Sequence, residues 1–130
     1  MSGYRTPLSR VRGLGSAKHG VGHFIGQRVS AVALVLLVLW AVSAALRLAG
    51  FDYRETCDWL RTGPNAALVV LLLGTGFFHM SLGLRTVVED YVHKPASKAA
   101  LLILNQFVCW GGAVIGVIAV LKAAFGLGAY

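Results

Sequence analysis

The sequence predicts an all-α integral membrane protein with three membrane-spanning helices, and two observations support this prediction. The chain of 130 residues has a mean hydropathy of +0.72 and only 13% charged residues, a composition typical of membrane proteins. It also contains three long apolar runs, at about residues 29–48, 65–92 and 98–122. Each run is long enough for an α-helix to cross a bilayer, and a soluble core of this size does not need three of them.

Residues 1–28 precede the first predicted span and contain basic residues but no acidic ones. We predict a largely irregular cytoplasmic tail, with residues 21–28 at the membrane interface and the basic groups near anionic lipid. The segment lacks the early apolar stretch of a signal peptide, so we expect the first span to be retained. It also has no motif typical of nucleic-acid binding, and we predict no nucleic-acid partner.

The connections between the spans are short and polar. Residues 51–65 are predicted to form a mixed loop, with Pro64 at the start of the second helix, where its missing N–H costs least. Pro95 ends the second helix, and a short basic turn leads into the third span. Residues 126–130 are predicted to be a short C-terminal tail.

The third span contains three residues whose roles the sequence suggests. Cys109 lies deep in the span and Cys57 lies in the first loop, so we expect no disulfide and interpret Cys109 as a packing residue. Asn105 and Gln106 are interpreted as interhelical hydrogen-bond partners. The alternative is that they line a path for protons.

The distribution of basic residues predicts the orientation in the membrane. Eight Lys and Arg residues flank the predicted cytoplasmic ends of the spans: Arg5, Arg10, Arg12, Lys18, Arg28, Arg85, Lys94 and Lys98. Four flank the opposite ends: Arg47, Arg54, Arg61 and Lys122. Because cytoplasmic flanks carry the excess of Lys and Arg, the N-terminus is predicted in the cytoplasm and the C-terminus outside.

His79 in the second span is the residue that most needs an explanation. It is the only ionisable side chain between Ala66 and Leu84. A buried imidazole is costly in a bilayer, so it is by default a hypothesis for a functional site. Gly76 and Gly83 flank it at i−3 and i+4, so this face of the helix has no side chains on either side of His79 at those positions. This face is interpreted either as a surface that another helix approaches closely or as a binding surface for a flat cofactor.

A carboxylate and a phenol share a face of the same helix with His79. Asp90 follows His79 by eleven residues, which is about three helical turns and about 16 Å along the axis, and Tyr91 comes next. The face therefore carries an imidazole at membrane depth and polar groups at the interface.

Two classes of function follow from these residues. In the first, His79 supplies half of a proton path in a small transporter. In the second, His79 is an axial ligand of a haem in an electron-transfer protein. Because His79 is the only deep histidine, a six-coordinate haem needs its second ligand from another chain. His93 lies fourteen residues further on, at the surface near Pro95, and no other helix carries a matching pair.

The motif FHMSLGLRTVVEDYVH resembles the second transmembrane helix of the small hydrophobic membrane-anchor subunit of succinate dehydrogenase, respiratory complex II. In that family a histidine precedes an Asp-Tyr pair by eleven residues, which here are His79, Asp90 and Tyr91. The tail RTPLSRVRGLGSAKHGVGHFIGQRVSAV and the segments LLILNQF and AVLKAAFG look like those of α-proteobacterial members. The resemblance extends over nearly the whole chain.

The resemblance implies a cofactor and a substrate. Two anchor subunits hold one haem b between them, with His79 as one axial ligand to the iron and the partner subunit supplying the other. Tyr91 would donate a hydrogen bond to ubiquinone, and Asp90 would orient the phenol or supply protons. Arg28 would lie near the haem propionates or the quinone mouth, with His23 in support; both are otherwise interpreted as interfacial residues.

The resemblance also implies an assembly. The partners would be a cytochrome b556 anchor subunit, which forms a helical bundle with this chain, an iron–sulfur subunit and a flavoprotein subunit. This chain would be a non-catalytic subunit of a bacterial inner-membrane succinate:quinone oxidoreductase that passes electrons to quinone. Two alternatives are a proton-coupled transporter half and a haem-less anchor of a related quinol:fumarate reductase.

The predicted topology can be tested with reporter fusions. Alkaline phosphatase fused after the third span should be active, because it folds only outside the cytoplasm, whereas a cytoplasmic reporter at the same point should be inactive. The opposite pair of results would overturn the orientation predicted from the basic residues.

Overall fold

The computed structural model describes residues 6–13 and 20–126, and within these ranges the chain forms five α-helices and no strand. Their bounds are α1 Pro7–Arg12, α2 Gly20–Leu48, α3 Tyr53–Arg61, α4 Asn65–Tyr91 and α5 Pro95–Phe125. Three of them, α2, α4 and α5, are long and apolar enough to cross a membrane. The predicted all-α fold class, with three helices able to span a membrane, is confirmed.

The first part of the chain is more helical than the sequence predicted. Helix α1 occupies part of the tail that was expected to be irregular, and the Thr6 hydroxyl accepts a hydrogen bond from the Ser9 N–H at its start (3.1 Å). Helix α2 begins at Gly20, well before the predicted start at residue 29. No proline or other strong helix breaker separates the interfacial segment from the span, so one helix includes both. Residues 1–5 and 14–19 of the tail, and 127–130, lie outside the described residues.

Helix α3 occupies part of residues 51–65, which were predicted to form a loop. Asp52 caps its N-terminus: its carboxylate accepts from the Glu55 N–H (2.8 Å), and the Glu55 carboxylate accepts from the Asp52 N–H (2.8 Å). This reciprocal pair is a capping box, which the spacing of Asp52 and Glu55 in the sequence already signals. The Trp59 ring stacks on Trp40 at 6.0 Å between centroids, which ties α3 to α2.

Helix α4 is the central span, since it packs against α2 on one side and α5 on the other. Small residues allow the close approach to α5. A Cβ added at Gly112 would lie 2.6 Å from the Phe77 ring, and one added at Gly116 would lie 3.2 Å from Leu73. Such glycines let helix backbones come together in a membrane, where association depends on packing.

Polar side chains also join α4 to α5. The Asn105 amide donates to the Ser81 carbonyl oxygen (2.9 Å), and the Ser81 hydroxyl donates to the Gln106 side-chain oxygen (2.8 Å). The Cys109 thiol donates to the Asn105 side-chain oxygen (3.2 Å) and is only 2% exposed. The interpretation of Asn105 and Gln106 as interhelical partners is therefore confirmed, as is the packing role of Cys109. Cys57 and Cys109 are both free, as expected.

The turn between α4 and α5 is short, and a hydrogen bond between the two helices stabilises it. Helix α4 ends at Tyr91, and Pro95 occupies the first turn of α5, so the turn consists of residues 92–94. The Lys98 ammonium donates to the Glu89 carbonyl oxygen (2.7 Å), where a cation also complements the helix dipole. Pro64 immediately precedes α4, as the sequence predicted.

The packing of α4 on α5 leads to a prediction about two neighbouring glycines. A leucine at Gly112 must displace the Phe77 ring, and such overpacking typically costs about 1–3 kcal/mol. At Gly111 an added Cβ meets nothing within 4 Å, so Gly111→Leu is the matched control. We expect Gly112→Leu to lower the free energy of unfolding, measured by circular dichroism in mixed detergent micelles, and Gly111→Leu to change it little. Equal losses in the two variants would contradict this account of the interface.

Candidate functional site

His79 lies on the face of α4 that meets α2, where two polar side chains contact its ring. The Ser30 hydroxyl oxygen is 2.9 Å from His79 Nδ1, and the Gln27 amide nitrogen is 3.4 Å from His79 Nε2. Ser30 is 4% exposed, which makes it one of the most buried polar side chains among the described residues. The imidazole therefore has the partners that a histidine at membrane depth requires.

An apolar groove lies beside the ring, on the side toward the middle of α2. Its volume is about 420 Å³, and it opens to the outside of the chain. It is lined by Ala31, Leu34, Val35, Val38, Leu39 and His79. His79 is the only polar side chain among these residues, so the groove suits an apolar group placed next to an imidazole.

A second groove lies between the start of α2 and the last turns of α4, and Gln27, whose amide contacts the His79 ring, is part of its lining. Its volume is about 530 Å³. It is lined by Gly20, His23, Phe24, Gln27, Arg28, Gly83, Thr86 and Val87. This groove contains a guanidinium, an imidazole, an amide and a hydroxyl, and it is far more polar than the first.

Two buried polar atoms near the second groove lack a hydrogen-bond partner within the described residues. They are His23 Nε2 and the Gln27 side-chain oxygen. Buried polar atoms in proteins almost always have partners, so these two call for a ligand, another chain or water. The Arg28 guanidinium lies over the Phe24 ring, 5.2 Å from its centroid, at the same place. The groove thus combines one cation with two polar atoms that have no hydrogen-bond partner among the described residues.

The two glycines around His79 have different surroundings. A Cβ added at Gly83 would lie 3.7 Å from the Gln27 amide, so Gly83 is where α2 and its side chains approach α4. An added Cβ at Gly76 meets nothing within 4 Å. The added Cβ at Gly83 would make only an ordinary van der Waals contact, so packing within the described residues requires neither glycine, and Gly76 leaves open surface.

Asp90 and Tyr91 lie apart from His79, at the last turn of α4. Both are exposed, and the Tyr91 side chain is 78% exposed. Helical geometry separates them from His79 by about 16 Å along the axis. Arg28 lines the second groove, whereas the lining of that groove ends one turn before Asp90, at Thr86 and Val87. The chain thus brings His79, Arg28 and His23 to one surface and holds the Asp90–Tyr91 pair at its edge.

Gln27 and Ser30 are the site residues that the sequence analysis missed. With His23 they follow one another at i, i+4 and i+7, so they form a polar stripe on one face of α2. That spacing was visible in the sequence, although nothing there indicates that the stripe faces His79. Among the described residues, no three His, Cys, Asp or Glu side chains form a cluster for a metal ion. A single imidazole such as His79 can supply only one ligand, so any metal bound there would need its other ligands from elsewhere.

Comparisons with known proteins identify the family. A family model described as the succinate dehydrogenase/fumarate reductase transmembrane subunit matches residues 2–119. A succinate dehydrogenase hydrophobic membrane anchor subunit of Paracoccus denitrificans is 32% identical, over 97% of this chain and 95% of that protein. A protein of the same description from Rickettsia conorii is 26% identical, over 94% of each chain.

No solved structure gives a significant match to the chain. The family match nevertheless covers all three spans except the last few residues of α5, and the relatives align over nearly their full length. The protein is therefore a multi-pass membrane protein that belongs to the family of succinate dehydrogenase/fumarate reductase transmembrane subunits.

Proposed function

We propose that this chain is the hydrophobic membrane-anchor subunit of a succinate dehydrogenase, and that it holds haem b and ubiquinone together with a second anchor subunit. The observation that carries the proposal is the placement of His79, an imidazole that is held by Ser30, lines an apolar groove and contacts Gln27 in the lining of a polar one. The relatives, which are described as succinate dehydrogenase hydrophobic membrane anchor subunits, support the anchor role. The chain helps to pass electrons from the iron–sulfur subunit to quinone.

The residues around His79 fit a b-type haem. Haem has an apolar ring edge and two carboxylates, and the two grooves beside His79 differ in the same way. The Arg28 guanidinium and the buried, unpartnered His23 Nε2 would receive the carboxylates, because charge-assisted hydrogen bonds to cations and N–H groups are strong. When bound, the haem supplies a one-electron redox centre whose potential depends on its ligands and its burial.

The second axial ligand would come from the partner anchor, the cytochrome b556 subunit. Of the other histidines in the described residues, His23 lies near the start of α2 and His93 lies in the exposed turn before α5. The α2 surface next to the groove is apolar and exposed, with Val35 at 60% and Leu39 at 66% exposure. A helix of the partner placed there would cover the apolar groove and complete the coordination of the iron.

Asp90 and Tyr91 would contribute to the ubiquinone site. Reduction of a quinone to a quinol takes up two electrons and two protons, so the site needs a proton route to water. The exposed phenol of Tyr91 can donate a hydrogen bond to a quinone carbonyl, and Asp90 can orient the phenol or supply protons. Their exposure in this chain agrees with a site that the iron–sulfur and partner subunits complete.

The proposal also states where the chain lies in the cell and which subunits carry out the succinate chemistry. The basic flanks favour a cytoplasmic N-terminus in a bacterial inner membrane, which places Tyr91 near the cytoplasmic face. Succinate chemistry takes place on the flavoprotein and iron–sulfur subunits, and this chain has no part in it. Proton transport is less well supported, because the groove that His79 itself lines is otherwise formed by aliphatic side chains, which do not hold water.

The role of His79 can be tested by its replacement with alanine. In the assembled complex, His79→Ala should remove or convert the low-spin b-type signal in optical and electron paramagnetic resonance spectra, because the iron loses an axial nitrogen. His93→Ala is the control, since it removes an exposed imidazole from the turn that follows the same helix. A wild-type complex without haem, or a mutant with an unaltered haem signal, would refute the assignment.

The role of Tyr91 can be tested by removing only its hydroxyl. Tyr91→Phe should lower quinone reductase activity several-fold, since a hydrogen bond contributes about 0.5–1.5 kcal/mol and more when the acceptor gains charge. Dye reduction by the soluble subunits should persist. Tyr53→Phe is the control, because the Tyr53 phenol on α3 is equally exposed (76% against 78%). Unchanged quinone kinetics in Tyr91→Phe would exclude this role.

A further inference from the structure

The Ser30 hydroxyl makes two contacts that together determine where its proton lies. Its oxygen is 3.1 Å from the Gln27 backbone carbonyl oxygen and 2.9 Å from His79 Nδ1. A serine hydroxyl has one proton to donate and two lone pairs to accept with. The carbonyl oxygen can only accept, so the hydroxyl proton goes to Gln27 and the serine oxygen accepts from His79 Nδ1–H.

The contact on the other side of the ring agrees with this assignment. The Gln27 amide nitrogen is a donor only, and it lies 3.4 Å from His79 Nε2. Nε2 must therefore present a lone pair, as it does when the ring proton is on Nδ1. The tautomer is assigned here from the hydrogen-bond network, and both neighbours of the ring give the same answer.

We propose that Ser30 is a positioning residue that holds His79 in the Nδ1–H tautomer. Nε2 then carries the lone pair; it faces the Gln27 amide across a long contact of 3.4 Å, and it would bind a metal when that amide turns away. This inference deepens the proposed function and rests on it as far as the metal is haem iron. A ligating histidine usually donates its second N–H to a fixed acceptor, which sets the ring orientation and makes the ligand more basic. Ser30 is that acceptor.

The backbone of α2 fixes the direction of the Ser30 hydroxyl. The bond to the Gln27 carbonyl spans three residues within the helix, so the oxygen has little freedom to turn away from His79. Ser43 makes the same kind of bond to the Trp40 carbonyl oxygen (2.6 Å) in the same helix. Ser43 is exposed and lies far along α2 from His79, so it is a matched control.

The first test measures the haem in the assembled complex. We expect Ser30→Ala to shift the haem midpoint potential upward, because a less basic imidazole stabilises ferric iron less, and to alter the low-spin electron paramagnetic resonance signal. Ser30→Thr retains a hydroxyl that can make both contacts, and it should restore the wild-type values. Ser43→Ala should match wild type throughout. An unchanged potential and signal in Ser30→Ala would overturn the proposal.

The second test needs no haem. The full chain, in complex prepared from haem-deficient cells and labelled with ¹⁵N-histidine, should show His79 protonated at Nδ1 by NMR, with its signal assigned by its loss in His79→Gln. Ser30→Ala should diminish that form, because its acceptor is gone. Protonation at Nε2 in the wild-type chain would overturn the proposal. If His79→Ala keeps the haem signal, the proposed function fails while this measurement still decides the role of Ser30.

Discussion

The hydrocarbon of a bilayer offers no hydrogen bonds, and this constraint determines how the three spans meet. Backbone amides bond within each helix, so a polar side chain at membrane depth must bond either to a carbonyl of its own helix, as Ser43 does, or to a neighbouring helix. His79 finds Ser30 and Gln27 on α2, and Asn105 on α5 finds the Ser81 backbone on α4. These few bonds fix the register of helices whose other contacts are apolar and largely interchangeable.

The two sides of helix α4 differ in how tightly they are packed. Toward α5 its surface is structural: the Phe77 ring fits over Gly112, and Ser81 bonds to Asn105 and Gln106. Toward α2 the packing is interrupted by two grooves; His79 lines the apolar one and contacts Gln27, which lines the polar one. A tightly packed interface on one side holds the helix in place, which allows the other side to keep open surface for a cofactor and a partner chain.

The two parts of the proposed redox site differ in how far this chain completes them. His79 already has a partner on Nδ1 and a defined orientation, as a metal ligand requires. Asp90 and Tyr91 are exposed at the end of α4, and among the described residues no hydrogen bond or ion pair fixes their side chains. A deep ligand must be positioned by its own fold, whereas an interfacial quinone site can be completed by the subunits that dock on it.

The sequence by itself determined the all-α membrane fold, because hydrocarbon thickness sets the length of an apolar run that can cross it. It also indicated His79 as a site residue, since a single ionisable residue in such a run is unusual. The spacing of Asp52 and Glu55 in the sequence is that of a capping box, which the structure shows at the start of α3. Only the tertiary structure decided that the His23–Gln27–Ser30 stripe of α2 faces His79. Helical periodicity places residues on a common face, but which face meets which neighbour depends on side-chain packing between segments far apart in the chain.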